Sequence, residues 1–140
     1  MSLIVKNIFL GASIQDDGRS GLQRFGVTAG GAIDSFALEQ GRTLFNDKSN
    51  TAAIEFSGSG GKFLVEQTSH FTSTGAQSIV KLNGLKIPQG QIFKATKGAE
   101  IEISSISKGF YSYLHVAGGF LTSFHLGSRS GNIRAGLGTI

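Results

Sequence analysis

Side chains suited to bind a small carbonyl compound are concentrated in two glycine-rich stretches, one near each end of the chain. The first stretch, residues 15–34, carries Arg19 and Arg24 among glycines, which allow positive φ angles and a close approach of backbone amides to a ligand. A planar guanidinium fork suits a carboxylate, carboxamide or ureido oxygen. The alternative is a solvated loop in which Asp16 and Arg19 form an exposed ion pair of little energetic value.

The second stretch, residues 117–138, repeats this chemistry. Gly118 and Gly119 follow a strand-like run, and Arg129 stands between two serines. Because both stretches offer donors suited to one small ligand, we expect Arg19 and Arg129 to converge on a single pocket.

Two motifs of nucleotide and acyl chemistry are incomplete in this chain. Residues 57–62 read Ser-Gly-Ser-Gly-Gly-Lys, but Phe56 stands where a phosphate-binding loop needs its first glycine, and Phe63 replaces the hydroxyl that binds magnesium. We therefore predict a glycine-rich turn between two strands. A nucleophile elbow would need serine at position 129, which is arginine, so a hydrolase triad is not supported.

The histidines do not form a metal-binding pattern. His70, His115 and His125 share no short spacing with one another or with a pair of carboxylates, and we expect no metal site. His115 falls on the same strand face as Tyr111 and Tyr113. Two interpretations remain open for that face, the wall of a pocket or the solvated side of a strand.

The composition indicates one globular domain. The chain has 140 residues, of which 39% are hydrophobic, and it has no cysteine, which excludes disulfides and thiolate chemistry and fits the cytoplasm. The net charge of +4 is dispersed along the chain, so a nucleic-acid partner is disfavoured. The first residues do not form a signal peptide, and no apolar run reaches membrane-spanning length.

The elements that must position these loops are mainly β-strands. The chain has 21 glycines and one proline, with glycines between short alternating segments, which is typical of an all-β barrel or sandwich. One helix is predicted over Ser35–Phe45, capped by Asp34 and ended by Asn46 and Asp47. The predicted strands are residues 3–8, 52–56, 62–66, 78–82, 91–95, 99–106 and 111–116.

Several separate motifs together resemble the allophanate hydrolase subunit 2 family, also described as KipA-like or biotin-dependent carboxyltransferase-like proteins. The resemblance spans essentially the whole chain but only about the first half of the family's length. We therefore expect residues 1–140 to be the N-terminal part of a carboxyltransferase domain and an incomplete folding unit. The missing part would be supplied by a second polypeptide or by a second copy of this chain, or it would be absent. The motifs are Gln15-Asp16 with Gly18-Arg19 and Gly21, Gly26-Val27, the Gly-Ala-x-Asp that ends at Asp34, Thr74-Gly75-Ala76, the run from Tyr113 to Gly119, and Leu126-Gly127-Ser128-Arg129-Ser130.

The resemblance implies a partial cyclophilin-like β barrel with one short helix. It implies a subunit of an ATP-dependent 5-oxoprolinase, which opens a cyclic amide to glutamate together with a subunit 1 partner and is inactive by itself. The alternatives are a carboxyltransferase domain of the urea carboxylase and urea amidolyase type, or a KipA-like regulatory binding protein. We expect no cofactor on this chain alone, with ATP, or biotin in the urea alternative, used by the complex.

The resemblance also assigns roles to the two stretches. Arg19 and Arg129 would stabilise negative charge on an amide or ureido oxygen, and Asp16 would orient Arg19 or accept a substrate proton. These three are the predicted catalytic residues. The predicted substrate-binding residues are Gln15, Gly18, Gln23, Gly118, Gly119, Ser128 and Ser130.

Overall fold

The computed structural model describes residues 3–9, 11–19, 21, 23–25, 30–47, 50–122 and 128–130. One antiparallel sheet contains all of the strands in these ranges, and the helices there are α1 (Ser35–Phe45) and a 3-10 turn at Gln23–Phe25. None of the helices in the described ranges is long and apolar enough to cross a membrane. The strands are β1 (Leu3–Ile8), β2 (Gly11–Gln15), β3 (Ala53–Ser57), β4 (Gly61–Val65), β5 (Ser69–Leu82), β6 (Leu85–Ile87), β7 (Phe93–Ala95) and β8 (Glu100–Val116).

The sheet curves around β8 into a nearly closed barrel. The first part of β8 pairs with β4 and its last part with β3, while β5 follows the opposite edge along most of its length. The outer strands β1 and β2 pair with β4 and β3, and β6 and β7 pair with the two ends of β5. The mainly β barrel with one helix that the sequence predicted is confirmed.

Apolar residues that alternate along the strands fill the barrel interior. Ile101 and Ile103 of β8 are fully buried, whereas the glutamates that alternate with them are half-buried. Side chains from β3 to β5 and β8 complete the same cluster, as the strand period of two requires. Its fully buried large side chains include Phe56, Phe63, Val65, Phe71, Val80, Leu114 and Val116.

Helix α1 lies on the outside of the barrel, over β5 and β8. The carboxylate of Asp34 accepts a hydrogen bond from the Ala37 amide at 3.0 Å, and Asn46 ends the helix in a left-handed conformation. Gly41 faces the sheet, where an added Cβ would lie 2.1 Å from the ring of His115. A glycine at this position therefore sets how closely the helix approaches the strands.

The structure corrects several sequence expectations. The predicted strands 99–106 and 111–116 are one continuous strand, and the predicted strand 78–82 is the end of the 14-residue β5. Strands β2 and β6 were not predicted, because β2 has only two apolar residues, Ala12 and Ile14, and β6 has only three residues. The glycine-rich turn before β4 is confirmed. A solvated face for Tyr113 and His115 is wrong, because α1 covers it and they are 0% and 4% exposed.

Candidate functional site

The two predicted loops meet at the carboxylate of Asp16, which directly follows β2 and is completely buried. Oδ1 of Asp16 accepts hydrogen bonds from the Gly18 amide at 2.9 Å, from the Ser130 hydroxyl at 2.8 Å and from the Ser128 hydroxyl. Oδ2 accepts the Arg129 amide at 2.8 Å. We call this arrangement the Asp16 junction. It joins residues that are more than 100 positions apart in the sequence.

The Asp16 junction holds an ionised carboxylate. Burial by itself would raise the pKa of Asp16, but hydrogen bonds from Ser128, the Arg129 amide, the Gly18 amide and Ser130 outweigh burial and lower it below its usual value. A carboxylate offers about two acceptor positions on each oxygen. Three of these donors bind Oδ1, and the Arg129 amide binds Oδ2. The predicted role of Asp16 in accepting a proton from substrate stays a prediction.

Backbone contacts reinforce the junction. The Asp16 amide donates to the Ser130 hydroxyl at 3.0 Å, and the Ser130 amide donates to the Ser128 hydroxyl at 2.9 Å. The Ala32 amide donates to the Asp16 carbonyl at 3.0 Å. Gly31 has φ +88° and passes so close that an added Cβ would lie 3.0 Å from the Asp17 carbonyl oxygen. The segment that leads into α1 is thus part of the same structure.

The predicted catalytic arginines are carried on adjacent segments of this junction. Arg19 is 4% exposed, and its Nη2 donates to the Ser128 carbonyl at 3.3 Å. Arg129 is half-buried, and its backbone amide is bound to Asp16. Burial of both Asp16 and Arg19 rules out the alternative of an exposed ion pair between them. Convergence of the two guanidinium groups on one pocket stays a prediction.

Gln15 combines a bonded side-chain nitrogen with an unbonded side-chain oxygen. Its side chain is 8% exposed, and its Nε2 donates to the Ser13 hydroxyl at 2.9 Å. Its Oε1 is buried without a hydrogen-bond partner. The side chain of Gln23 lies outside the described residues.

The predicted glycine amides are used inside the protein. The Gly18 amide is bound to Asp16, as described above. The Gly118 amide donates to both oxygens of Asp47 at 3.0 and 3.1 Å, and the Gly119 amide donates to the Val116 carbonyl at 2.9 Å. We call residues 117–120 the glycine turn. Its role in substrate binding stays a prediction.

Arg42 and Asp17 join the first loop to the helix and were missed by sequence reasoning. Arg42 is 3% exposed in the last turn of α1, and its Nη1 donates to Asp17 Oδ1 at 2.7 Å. Its Nε and Nη2 donate to the Thr51 carbonyl at 3.1 and 2.7 Å. An arginine near the end of a helix is ordinary in sequence, so no local signal distinguished it.

A second buried network supports the entry to α1. Glu55 is 7% exposed, and its Oε2 accepts the Tyr113 hydroxyl at 2.6 Å and the Ile33 amide at 2.8 Å. The Tyr113 hydroxyl also accepts the Asp34 amide at 2.9 Å. Burial, followed by the hydrogen bond to Glu55, raises the pKa of Tyr113, so its hydroxyl stays protonated. This network holds the capping residue of the helix.

His115 is a neutral buried residue between the helix and the sheet. The Thr74 hydroxyl donates to the Ala37 carbonyl at 2.7 Å and lies 2.8 Å from His115 Nε2. Because that hydroxyl proton is already used, the ring nitrogen acts as the donor to Thr74. Burial, and secondarily the charge of Arg42, lowers the pKa of His115 to about 3. Neither role considered from the sequence, pocket wall or solvated face, describes this position.

An open groove of about 580 Å³ runs between α1 and β5, on the face of the barrel that α1 covers. Phe36, Gln40 and Leu44 line it from the helix, and Ser73–Gly75 with Gln89 line it from the sheet side. The Gln89 side chain donates to the Ala76 carbonyl at 2.9 Å. The Thr74 hydroxyl is likewise bonded within the protein, whereas the buried Ser73 hydroxyl has no hydrogen-bond partner among the described residues.

Comparison with known proteins agrees with this fold. A curated relative, a 5-oxoprolinase subunit of Haemophilus influenzae, is 35% identical over 92% of this chain, which spans 42% of that protein. The crystal structure of Kluyveromyces lactis urea carboxylase superposes with a TM-score of 0.88 at 27% identity, covering 91% of this chain and 11% of that protein. The crystal structure of TTHA0988 shows the same fold, with a TM-score of 0.92 at 24% identity over 99% of this chain and 52% of that one.

The family is decided by a match along most of the chain. Residues 25–140 match the model of the carboxyltransferase domain, subdomain A and B. The region includes α1, the glycine turn and residues 128–130, and the resemblance inferred from the motifs is thereby confirmed. This chain belongs to the carboxyltransferase domain (subdomain A and B) family.

Proposed function

We propose that this chain is a subunit of an ATP-dependent 5-oxoprolinase that acts on a small cyclic amide together with a subunit 1 partner. The Asp16 junction is the observation that carries the proposal, because it places the segments of Arg19 and Arg129 side by side. The relative that is named as a 5-oxoprolinase subunit, at 35% identity, supports this choice of substrate.

The chemistry that the junction supports is stabilisation of a negatively charged amide oxygen. Opening a lactam places negative charge on its carbonyl oxygen in the transition state, and preorganised cationic donors lower the barrier most in a site shielded from water. Arg19 is buried and Arg129 half-buried, so both are partly shielded. The buried Oε1 of Gln15 offers an acceptor for the N–H of the same amide.

Partners are part of the proposal because the described residues carry no phosphate loop for ATP. The turn before β4 has the incomplete motif described above. ATP would therefore be bound by a partner subunit, with this chain contributing amide recognition. We expect the isolated chain to show no turnover of 5-oxoproline.

A carboxyltransferase acting on urea is the second candidate. The superposition with Kluyveromyces lactis urea carboxylase favours it, and urea presents the same planar carbonyl and N–H groups as a lactam. In that case the partner chemistry would be a carboxybiotin donor rather than ATP-driven ring opening. A KipA-like binding protein without catalysis is the remaining alternative.

Reconstitution tests the proposal. The chain is combined with its partner subunits and ATP, and glutamate release from 5-oxoproline is measured with each component omitted in turn. We expect release only from the complete mixture. Carboxylation of urea from carboxybiotin by the same mixture, without glutamate release, would favour the second candidate. Turnover by the chain alone would contradict the need for partners.

Arginine variants connect the activity to the site. We expect Arg19→Lys and Arg129→Lys each to lower kcat/KM by about a hundredfold, the usual scale for loss of one charge-stabilising donor. Arg24→Lys is the matched control, because Arg24 is exposed in the same stretch and stacks on the Phe25 ring at 4.8 Å. Equal effects of all three variants would show that the junction has no special role.

A further inference from the structure

We propose that Arg42 is a positioning residue that holds the first loop and the glycine turn at a set distance from each other. Its buried guanidinium spans from the Asp17 carboxylate, at 2.7 Å, to the Thr51 carbonyl, at 2.7 Å. The proposal concerns the arrangement of the loops, and only its consequence for turnover rests on the proposed function.

The first loop is held through Asp17. Its neighbour Asp16 forms the junction with residues 128–130, so the backbone of Asp17 directly follows a residue fixed in the junction. The Asp17 side chain is 52% exposed, whereas that of Arg42 is 3% exposed. The pair is therefore oriented with its arginine inside the protein and its carboxylate at the surface.

The glycine turn is held through Thr51 and Asp47. Gly119 lies so close to Thr51 that an added Cβ would be 2.8 Å from the Thr51 Cβ, and the Phe120 amide donates to the next carbonyl, that of Ala52, at 3.0 Å. The Asp47 amide donates to the Arg42 carbonyl at 2.9 Å, and the Asp47 carboxylate accepts the Gly118 amide. Arg42 thus reaches the turn by its side chain and by its backbone.

A guanidinium group is suited to this link and an ammonium group is not. Nε and Nη2 donate along one edge to the Thr51 carbonyl, while Nη1 donates in another direction to Asp17. A buried cation that loses one of these partners gives up a charge-assisted hydrogen bond, which is costly. Displacement of either loop is therefore opposed through the same side chain.

Glu39 provides an internal control. Its Oε2 lies 3.3 Å from Arg42 Nη1, on the same helix and with a side chain that is 63% exposed. Asp17→Asn and Glu39→Gln both replace a carboxylate near this guanidinium by an amide of the same shape. Asp17 connects two parts of the chain and Glu39 does not, so only the first replacement weakens the proposed link, by removing the negative charge that Arg42 faces on the first loop.

Amide hydrogen exchange on the full chain tests the link without reference to activity. We expect Asp17→Asn to speed exchange of the Gly18 and Ala32 amides about tenfold, equivalent to about 1.4 kcal/mol. We expect Arg42→Lys to speed exchange there and also at Gly118. Glu39→Gln should leave all three amides within about twofold of the wild type.

The outcome that overturns the proposal is a uniform change. If Arg42→Lys and Asp17→Asn speed exchange of the Leu38 amide in α1 as much as exchange of the Gly118 and Gly18 amides, Arg42 only stabilises the domain. Equal effects of Asp17→Asn and Glu39→Gln would also overturn it. Should Arg42→Lys fail to fold, Asp17→Asn still decides, because its side chain is half exposed.

Turnover in the reconstituted complex adds a second measurement. We expect Asp17→Asn to lower kcat about tenfold with KM changed less than threefold, because misplacement of donors affects the transition state more than binding. Glu39→Gln should leave both values unchanged. If the wild-type complex has no oxoprolinase activity, the proposed function fails while the exchange result still decides the role of Arg42.

Discussion

Replacement of Asp16 by asparagine is the sharpest test of the Asp16 junction. Asparagine has the same shape but one acceptor oxygen and an NH2 group. If the NH2 group takes the place of Oδ2, it faces the Arg129 amide. If the side-chain amide is flipped, the NH2 group takes the place of Oδ1 and faces the donors of Gly18, Ser128 and Ser130. Either orientation loses at least one hydrogen bond and removes the charge that strengthens the others.

The size of the effect follows from the number of donors. A hydrogen bond to a charged group contributes about 1.5–3 kcal/mol and a neutral one about 0.5–1.5 kcal/mol. Loss of one bond and of charge assistance to the rest amounts to about 3 kcal/mol, allowing for reorientation of the serine hydroxyls. We therefore expect the Arg129 and Ser130 amides to exchange about a hundredfold faster in Asp16→Asn.

The assay is amide exchange by NMR together with urea unfolding at neutral pH. Exchange of amides in the barrel interior, such as those of Ile101 and Ile103, should speed up only by the amount that a lower global stability accounts for. Glu39→Gln, at an exposed carboxylate, should leave the exchange pattern unchanged. The reasoning is refuted if Asp16→Asn leaves exchange at Arg129 and Ser130 within threefold of the wild type.

The pH dependence of stability gives an independent measure of the same carboxylate. The folded-state pKa of Asp16 lies below its ordinary value of 3.8, so the carboxylate contributes stability above that value. As the pH falls through the lowered folded pKa, this contribution is lost. The acid-induced decrease should be smaller in Asp16→Asn than in the wild type.

Three further predictions concern buried contacts. The ring of His115, with a folded pKa of about 3, should stay neutral by NMR from pH 8 to pH 5. The free energy of unfolding should therefore fall by up to about 1.4 kcal/mol per pH unit as the pH decreases below 6.5. His115→Gln should remove this slope. Gly41→Ala should destabilise the domain by about 1–3 kcal/mol in urea unfolding, because its Cβ would overlap that ring; an unchanged midpoint would show that the helix shifts freely. Gly119→Ala should cost more than Gly118→Ala, because both have positive φ but only Gly119 faces Thr51, and equal unfolding midpoints would contradict this.

Local signals predicted the helix and most strands, but not their lengths. The bounds of α1 were predicted from an amphipathic run with Asp34 before it and Asn46 after it, and these bounds are confirmed. Residues 107–110 fell between two predicted strands, yet β8 runs through them and pairs with β5 on both sides of them. Strand length depends on partners that are distant in the sequence.

The family, the mainly β class and the two stretches that meet at the site could all be inferred from the amino-acid sequence. Side-chain types and the order of the motifs are enough for these inferences, because glycines, arginines and a capping aspartate have effects that depend mainly on nearby residues. The complementary donors of the two stretches led to the expectation that they share one site.

The contacts of each group in those stretches became known from the three-dimensional fold. Asp16 proved to be a buried acceptor of four donors, and the amides of Gly118 and Gly119 proved to be bonded within the protein. Arg42 contacts both Asp17 and Thr51 because α1 lies across the outer face of the barrel. Hydrogen-bond satisfaction and burial are properties of the whole fold, so a residue's neighbours in sequence cannot reveal them.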